Sequence, residues 1–153
     1  MTVVDSETVP IFGGVFAIFG HGNVAGFGQA LLQAELEEPD ALPYVLGRNE
    51  QAMVHSAVAY ARMKDRRQTW VVSTSVGPGA TNMVTGAALA TINRLPVLLV
   101  PADTFADRTA SPLLQELEQP FAGDLTVNDC FRPVSRYFDR VWRPEQLPAA
   151  LMS

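Results

Sequence analysis

The chain has 153 residues, of which 48% are hydrophobic and 18% charged, and a formal net charge of −5. Those figures fit one ordered domain with a core of its own. The basic residues gather into no long run, and no apolar run nears the ~20 residues of a membrane span, so neither nucleic acid nor a bilayer is an expected partner.

In chain order, residues 1–12 read as an irregular lead-in. Its first charges are Asp5 and Glu7 rather than the basic start of a secretory leader, and the single cysteine of the chain makes a cytoplasmic protein the expectation. Residues 15–19 are apolar and β-prone. Gly20-His21-Gly22-Asn23 follows as a turn, and residues 24–36 read as a helix with Asn23 as its N-cap. Glu37-Glu38-Pro39-Asp40 stops that helix. Residues 42–46 form a second strand, and a second helix runs from Asn49 or Glu50 to Lys64. Its apolar residues Met53, Val54, Ala57, Val58 and Ala61 recur at helical spacing.

Residues 69–74 form the third strand and Gly77-Pro78-Gly79 a sharp turn. Residues 80–93 form a third helix, whose small residues Gly86, Ala87, Ala88 and Ala90 let another backbone come close. Residues 95–100 are almost continuously apolar, as in a strand covered on both faces. Strands alternating with helices give an α/β fold, a parallel sheet with helices on both faces and right-handed crossovers.

Beyond Pro101 the rhythm weakens. Ser111-Pro112 has the cap-and-proline form of a short helix, broken at Gly123. Residues 128–135 read as a short helix or loop and 137–142 as a last strand. Residues 144–152 look like the opening of a helix with no stop signal. The expectation is one domain, residues 1–153, forming the N-terminal part of a longer polypeptide.

Few residues suit metal or thiol chemistry. The single cysteine, Cys130, rules out an internal disulfide, and its neighbours Phe131 and Pro133 suggest an inert, packed thiol. His21 and His55 are far apart, and neither has a neighbour at ligand spacing, so no metal site is assigned.

Three stretches carry candidate chemistry. Gly20-x-Gly22-x-x-Ala25 matches the loose dinucleotide fingerprint. The acidic residue expected after the second strand is missing, and Gly47 and Arg48 stand there instead. A nicotinamide-binding domain stays open as an alternative, beside a glycine turn that merely avoids a clash. In Arg48-Asn49-Glu50-Gln51, Glu50 falls in a first helical turn. There the helix dipole alone accounts for a carboxylate, at about 0.3–1 kcal/mol. In Ser75-Val76-Gly77-Pro78-Gly79-Ala80-Thr81-Asn82, two glycines let the backbone approach a flat ligand, or simply make a tight turn. The Gly-Lys-Ser/Thr ending of a phosphate loop is absent.

Together, Arg48-Asn49-Glu50-Gln51, Tyr60-Ala61-Arg62, the Gly77 to Asn82 loop, residues 95–100 and Gln115-Glu116 resemble the pyrimidine-binding domain of thiamine-diphosphate-dependent enzymes of the acetolactate synthase type. The resemblance covers roughly residues 12–150. Within it, the Gly20 to Gly26 turn, Asn49-Glu50-Gln51 with His55, and residues 131–141 lean towards the hydrolase branch of inositol catabolism that opens a cyclic 1,2-dione. A lyase or ligase acting on 2-keto acids is the alternative, and a non-catalytic, partner-binding domain a third reading.

The resemblance implies roles. Glu50 would hydrogen-bond N1′ of the cofactor's aminopyrimidine and promote the imino tautomer that generates the carbon nucleophile. Gly77, Pro78 and Gly79 would wall the ring, with Asn82 steadying the loop. His21, Asn23 and Gln115 would face a small-molecule substrate, and His55 would be structural. The diphosphate would bind through Mg²⁺ on a separate domain of another subunit in a homodimer or homotetramer. The glycine–aspartate–glycine motif of that domain does not occur in this sequence.

Overall fold

The computed structural model describes residues 1–4, 6–39, 42–106, 114–117, 121–122 and 124–153. The helix stop at Asp40, the Ser111-Pro112 helix start and the break at Gly123 lie outside the described residues. Where an irregular lead-in was expected, β1 (Thr2–Val4) and β2 (Glu7–Val9) pair antiparallel. The β-branched residues Thr2, Val3, Val4, Thr8 and Val9 suit a pleated ribbon, and Ser6 takes φ 69° in the turn.

A four-stranded parallel sheet follows. It is built from β3 (Phe12–Ile18), β4 (Tyr44–Leu46), β5 (Thr69–Thr74) and β6 (Leu98–Pro101), in the order β4-β3-β5-β6. After β3 the helix begins earlier than the sequence suggested. α1 (His21–Asn23) runs through a π-helical segment (Val24–Gly28) into α2 (Gln29–Glu37). The N-cap is therefore Gly20, not Asn23. Asn23 lies inside the first turn, and its Oδ1 reaches back to accept the Gly20 N–H at 2.7 Å. α3 spans Glu50–Met63, and its N-cap Asn49 accepts the Ala52 N–H at 2.9 Å. After β5 come α4 (Pro78–Thr81) and α5 (Val84–Asn93).

β6 starts at Leu98 rather than residue 95. Arg94 closes α5 in a left-handed conformation, φ 54°, and Pro96 delays pairing. Residues 137–142 form no strand. They carry Arg140, whose hydrogen bonds to three other residues hold that stretch in place of a ladder. Residues Val127–Val134 and Pro144–Gln146 are 3₁₀ turns, and α6 (Leu147–Leu151) follows.

Alternation along the strands sends side chains to two cores. Val15, Ala17 and Val71 pack with Leu31 of α2 on one face. Val72 packs with Met53, Val54, Ala57, Val58 and Ala61 of α3, with Met83, with Ala87 and Ala90 of α5, and with Phe131, on the other. The small residues of α5 serve this inner packing. A Cβ on Gly86 would stand 2.5 Å from Val54 Cγ1, so the close neighbour they admit is α3 of the same chain. Among the described residues no helix is long and apolar enough to cross a membrane.

Candidate cofactor site

The connections that leave β3, β4 and β5 rise from the carboxyl ends of parallel strands. β3 leads to α2 on one face, and β5 leads to α5 on the other, so the ends of these neighbouring strands part and leave a crevice. Open α/β sheets bind ligands at such a point. Here lies a cleft of about 560 Å³, lined by Glu50, Ser75, Pro78, Gly79, Thr81, Asn82 and Gln115.

Glu50 is the first residue of α3, and the Asn49 cap fixes where that helix starts. Across the cleft, Asn82 Nδ2 donates to Glu50 Oε2 at 2.7 Å. That bond fixes the carboxylate and leaves Oε1 without a hydrogen-bond partner among the described residues. Two residues from separate stretches, 32 positions apart, thus meet as one unit.

The glycines of the turn act differently. Gly77 has φ +70° and ψ −123°, a conformation that strains any other residue, and a Cβ there would collide with the Gln115 carbonyl. A Cβ on Gly79 would collide with Ser75 Oγ and lie 3.5 Å from Glu50 Oε1. The backbone of this turn is bare beside the carboxylate, which is the cradle a flat heteroaromatic ring requires. The residues present fit the aminopyrimidine of thiamine diphosphate: a carboxyl oxygen for a ring nitrogen, and glycine backbone for the ring face.

The other candidates divide. Gln115 lines the cleft, with φ 71° and its carbonyl against Gly77. Asn23 does not line it. Its amide donates to Ser73 Oγ at 3.2 Å and to the Thr74 carbonyl at 2.9 Å, which ties the turn after β3 to the end of β5. His21 opens α1 on that tied turn. His55 lies beside Gly86 of α5, with Nε2 shielded and unpaired. Ser75 and Thr81 were not singled out from the sequence. Both belong to the glycine-rich stretch, and a hydroxyl just before or inside such a turn was the available signal. Thr81 Oγ1 bonds the Pro78 carbonyl at 3.1 Å.

Among the described residues, Glu50 is the one charged residue that lines the cleft. The strongest electrostatic feature lies elsewhere. Arg140 donates to Asp103 Oδ2 at 3.0 Å, Asp129 Oδ2 at 3.0 Å and Thr126 Oγ1 at 2.8 Å. Burial opposes ionisation of Asp129, but hydrogen bonds from Arg132, the Thr126 N–H and Arg140 outweigh it and hold the pKa at about 2. Cys130 is partly buried, and that burial pushes its thiol up, in keeping with an inert side chain.

Comparison with known proteins agrees with this geometry. Residues 15–122 match the family described as "Thiamine pyrophosphate enzyme, N-terminal TPP binding domain". The chain is 52% identical over 149 residues to the 3D-(3,5/4)-trihydroxycyclohexane-1,2-dione hydrolase of Bacillus licheniformis. It is 51% identical to the protein of that name from Bacillus subtilis, and 49% identical to the one from Clostridium tetani over 150 residues. Each match takes in 97–98% of this chain and 23% of the relative. The matched span contains the residues that line the cleft, and this chain belongs to the thiamine pyrophosphate enzymes, as an N-terminal cofactor-binding domain.

Proposed function

We propose that this domain is the pyrimidine-binding part of a longer thiamine-diphosphate-dependent hydrolase that opens the ring of a trihydroxycyclohexane-1,2-dione, in inositol catabolism. The observation that carries the reading is the Glu50–Asn82 hydrogen bond over the bare Gly77-Pro78-Gly79 backbone. The substrate assignment is supported by the name shared by relatives at 49–52% identity.

When bound, thiamine diphosphate supplies a carbon nucleophile and a sink for the electron pair of the broken carbon–carbon bond. The protein's part is positioning and proton transfer. Asn82 occupies Oε2 of Glu50, so Oε1 is the oxygen that would be left for the pyrimidine nitrogen. A carboxyl group can both give and take a proton there, which an amide cannot. Gly77, Pro78 and Gly79 present backbone to the ring, while Gln115 closes the cleft and faces substrate. Asn23 acts by holding the turn that carries His21. Mg²⁺ and the diphosphate are held by the diphosphate-binding domain of another subunit, in a cytoplasmic homodimer or homotetramer.

The test is Glu50→Gln in the full-length enzyme, following proton–deuterium exchange at cofactor C2 by NMR. Exchange is expected to slow by roughly 10²–10⁴-fold, the usual worth of a general acid–base group, with the fold retained. Equal exchange in wild type and variant would remove Glu50 as activator and the proposed function with it.

A further inference from the structure

The charges of this chain are sorted in space at the pole of the sheet opposite the cleft. α2, α3 and α5 each run back from the carboxyl end of one parallel strand to the start of the next, so their C-terminal ends share that pole. At the ends of α3 and α5 stand Arg62, Lys64, Arg66, Arg67 and Arg94, five of the eleven cations, all exposed. Arg66 Nε donates to the Arg94 carbonyl at 3.2 Å, and Arg62 donates to Asn93 Oδ1 at 3.2 Å, which joins the two helix ends into one surface. Within 62–67 and 92–94 the one acid is Asp65, paired with Arg67 at 3.6 Å. Met63 and Ile92 stand among these cations, 84% and 80% exposed.

The end of α2 is the reverse. After Leu31 every residue to Pro39 is exposed. Leu32 and Leu36, one turn apart on one face, are 58% and 77% exposed, with Glu35 on the same face and Glu37 and Glu38 beyond. Among the described residues none of these three carboxylates is in an ion pair. Carboxylates at a helix C-terminus oppose its dipole, and the two leucines bury nothing within the chain, so neither feature serves α2 itself. We propose that this pole is an interface between two copies of this chain. The acidic, leucine-bearing end of α2 in one copy seats on the basic end of α3 and α5 in the other, against Met63 and Ile92. Each patch carries the charge the other lacks, and both carry apolar side chains to bury. α2 lies on one face of the sheet, and α3 and α5 lie on the other. A two-fold axis across the pole therefore makes both contacts at once and closes the assembly as a dimer. The clefts stay open at its far ends, and the contact does not depend on the cofactor reading.

The experiment is sedimentation of the 153-residue chain. At about 100 µM and low salt a dimer is expected, with Kd raised roughly 10-fold or more at about 0.5 M NaCl, where the charges are screened. Two variants reverse one patch each: Glu35→Lys with Glu38→Lys, and Lys64→Glu with Arg67→Glu. Each alone is expected to sediment as a monomer, because like charges then face one another in both contacts. Mixed in equal amounts they should dimerise again, since every contact regains one patch of each sign. Circular dichroism checks that each variant keeps its fold. Should either reversal not fold, Ile92→Ser decides: it trims a side chain already in water and predicts a weakened dimer, and wild-type assembly overturns the proposal. A wild-type chain that stays monomeric leaves this pole to the rest of the longer polypeptide and overturns the proposal. So do reversed variants that still dimerise alone, a mixture that stays monomeric, and assembly that grows beyond the dimer.

Discussion

Gly77 and Gly79 sit two residues apart and do different things, so their alanine variants should fail differently. At Gly77 the backbone is in a region alanine enters only under strain, and the new methyl meets the Gln115 carbonyl. Gly77→Ala should lose about 1–3 kcal/mol from the backbone alone, read as a lower midpoint in urea. Gly79 has no such φ. Gly79→Ala should fold nearly as wild type but displace the Ser75 hydroxyl and crowd Glu50, so cofactor affinity falls while the urea midpoint holds. A Gly79→Ala enzyme that binds cofactor normally would show that the bare backbone there is incidental. The Gly77 to Asn82 loop and Glu50 stood out in the sequence through the resemblance they carry together, since each alone had a plain structural reading. Asn23 did not. As an N-cap its partner would be local, whereas its amide bonds Ser73 and Thr74, about fifty positions on. Ser75 escaped notice for the same reason: Gly20 and Gly79 close on it from two directions.

At the scale of elements, helices with a strong apolar period were read nearly to the residue, as α3 shows. Its start was marked by Asn49, and its core face was the five residues found buried. Residues 137–142 were misread because their alternation looked like a strand, while their structure is set by Arg140. That guanidinium joins Asp103, just past β6, to Thr126 and Asp129 at the start of the Val127–Val134 turn. Removing it strands two largely covered carboxylates, so Arg140→Ala should cost about 3 kcal/mol, the low end for a buried pair since each group keeps some exposure. The clasp also sets an acid limit. The Asp129 pKa is about 2 in the fold against an ordinary 3.8. Its ionised form therefore stabilises the fold fully above about pH 4, and that contribution fades as pH falls towards 2. Stability measured for wild type and Asp129→Asn should differ at pH 7 and converge near pH 2. A gap that stays constant across that range would mean the carboxylate's charge is not what holds the segment.

For the whole molecule, the question is what one chain can bind. The small residues of α5 let another backbone come close, and within this chain that backbone is α3, with Gly86, Ala87 and Ala90 buried. Large apolar side chains that face outwards are Leu32 and Leu36 on α2, Leu46 on β4 and Ile92 on α5. They leave surface for further protein to cover. The cleft makes the same point in electrostatic terms. Among the described residues its lining includes no lysine or arginine, and the one formal charge there is a carboxylate. Among these residues a diphosphate meets no cation to offset its charge. Among the described residues no group of three histidine, cysteine or acidic side chains gathers to hold a metal ion in its place. The chain spans 23% of the length of its relatives, which leaves ample polypeptide in them for a Mg²⁺–diphosphate clamp. The 153-residue chain by itself should therefore show negligible affinity for thiamine diphosphate, with or without Mg²⁺, in a calorimetric titration. Clear micromolar binding would mean that the ring contacts of Glu50 and the glycine turn suffice, and that the division of the site between two domains is wrong.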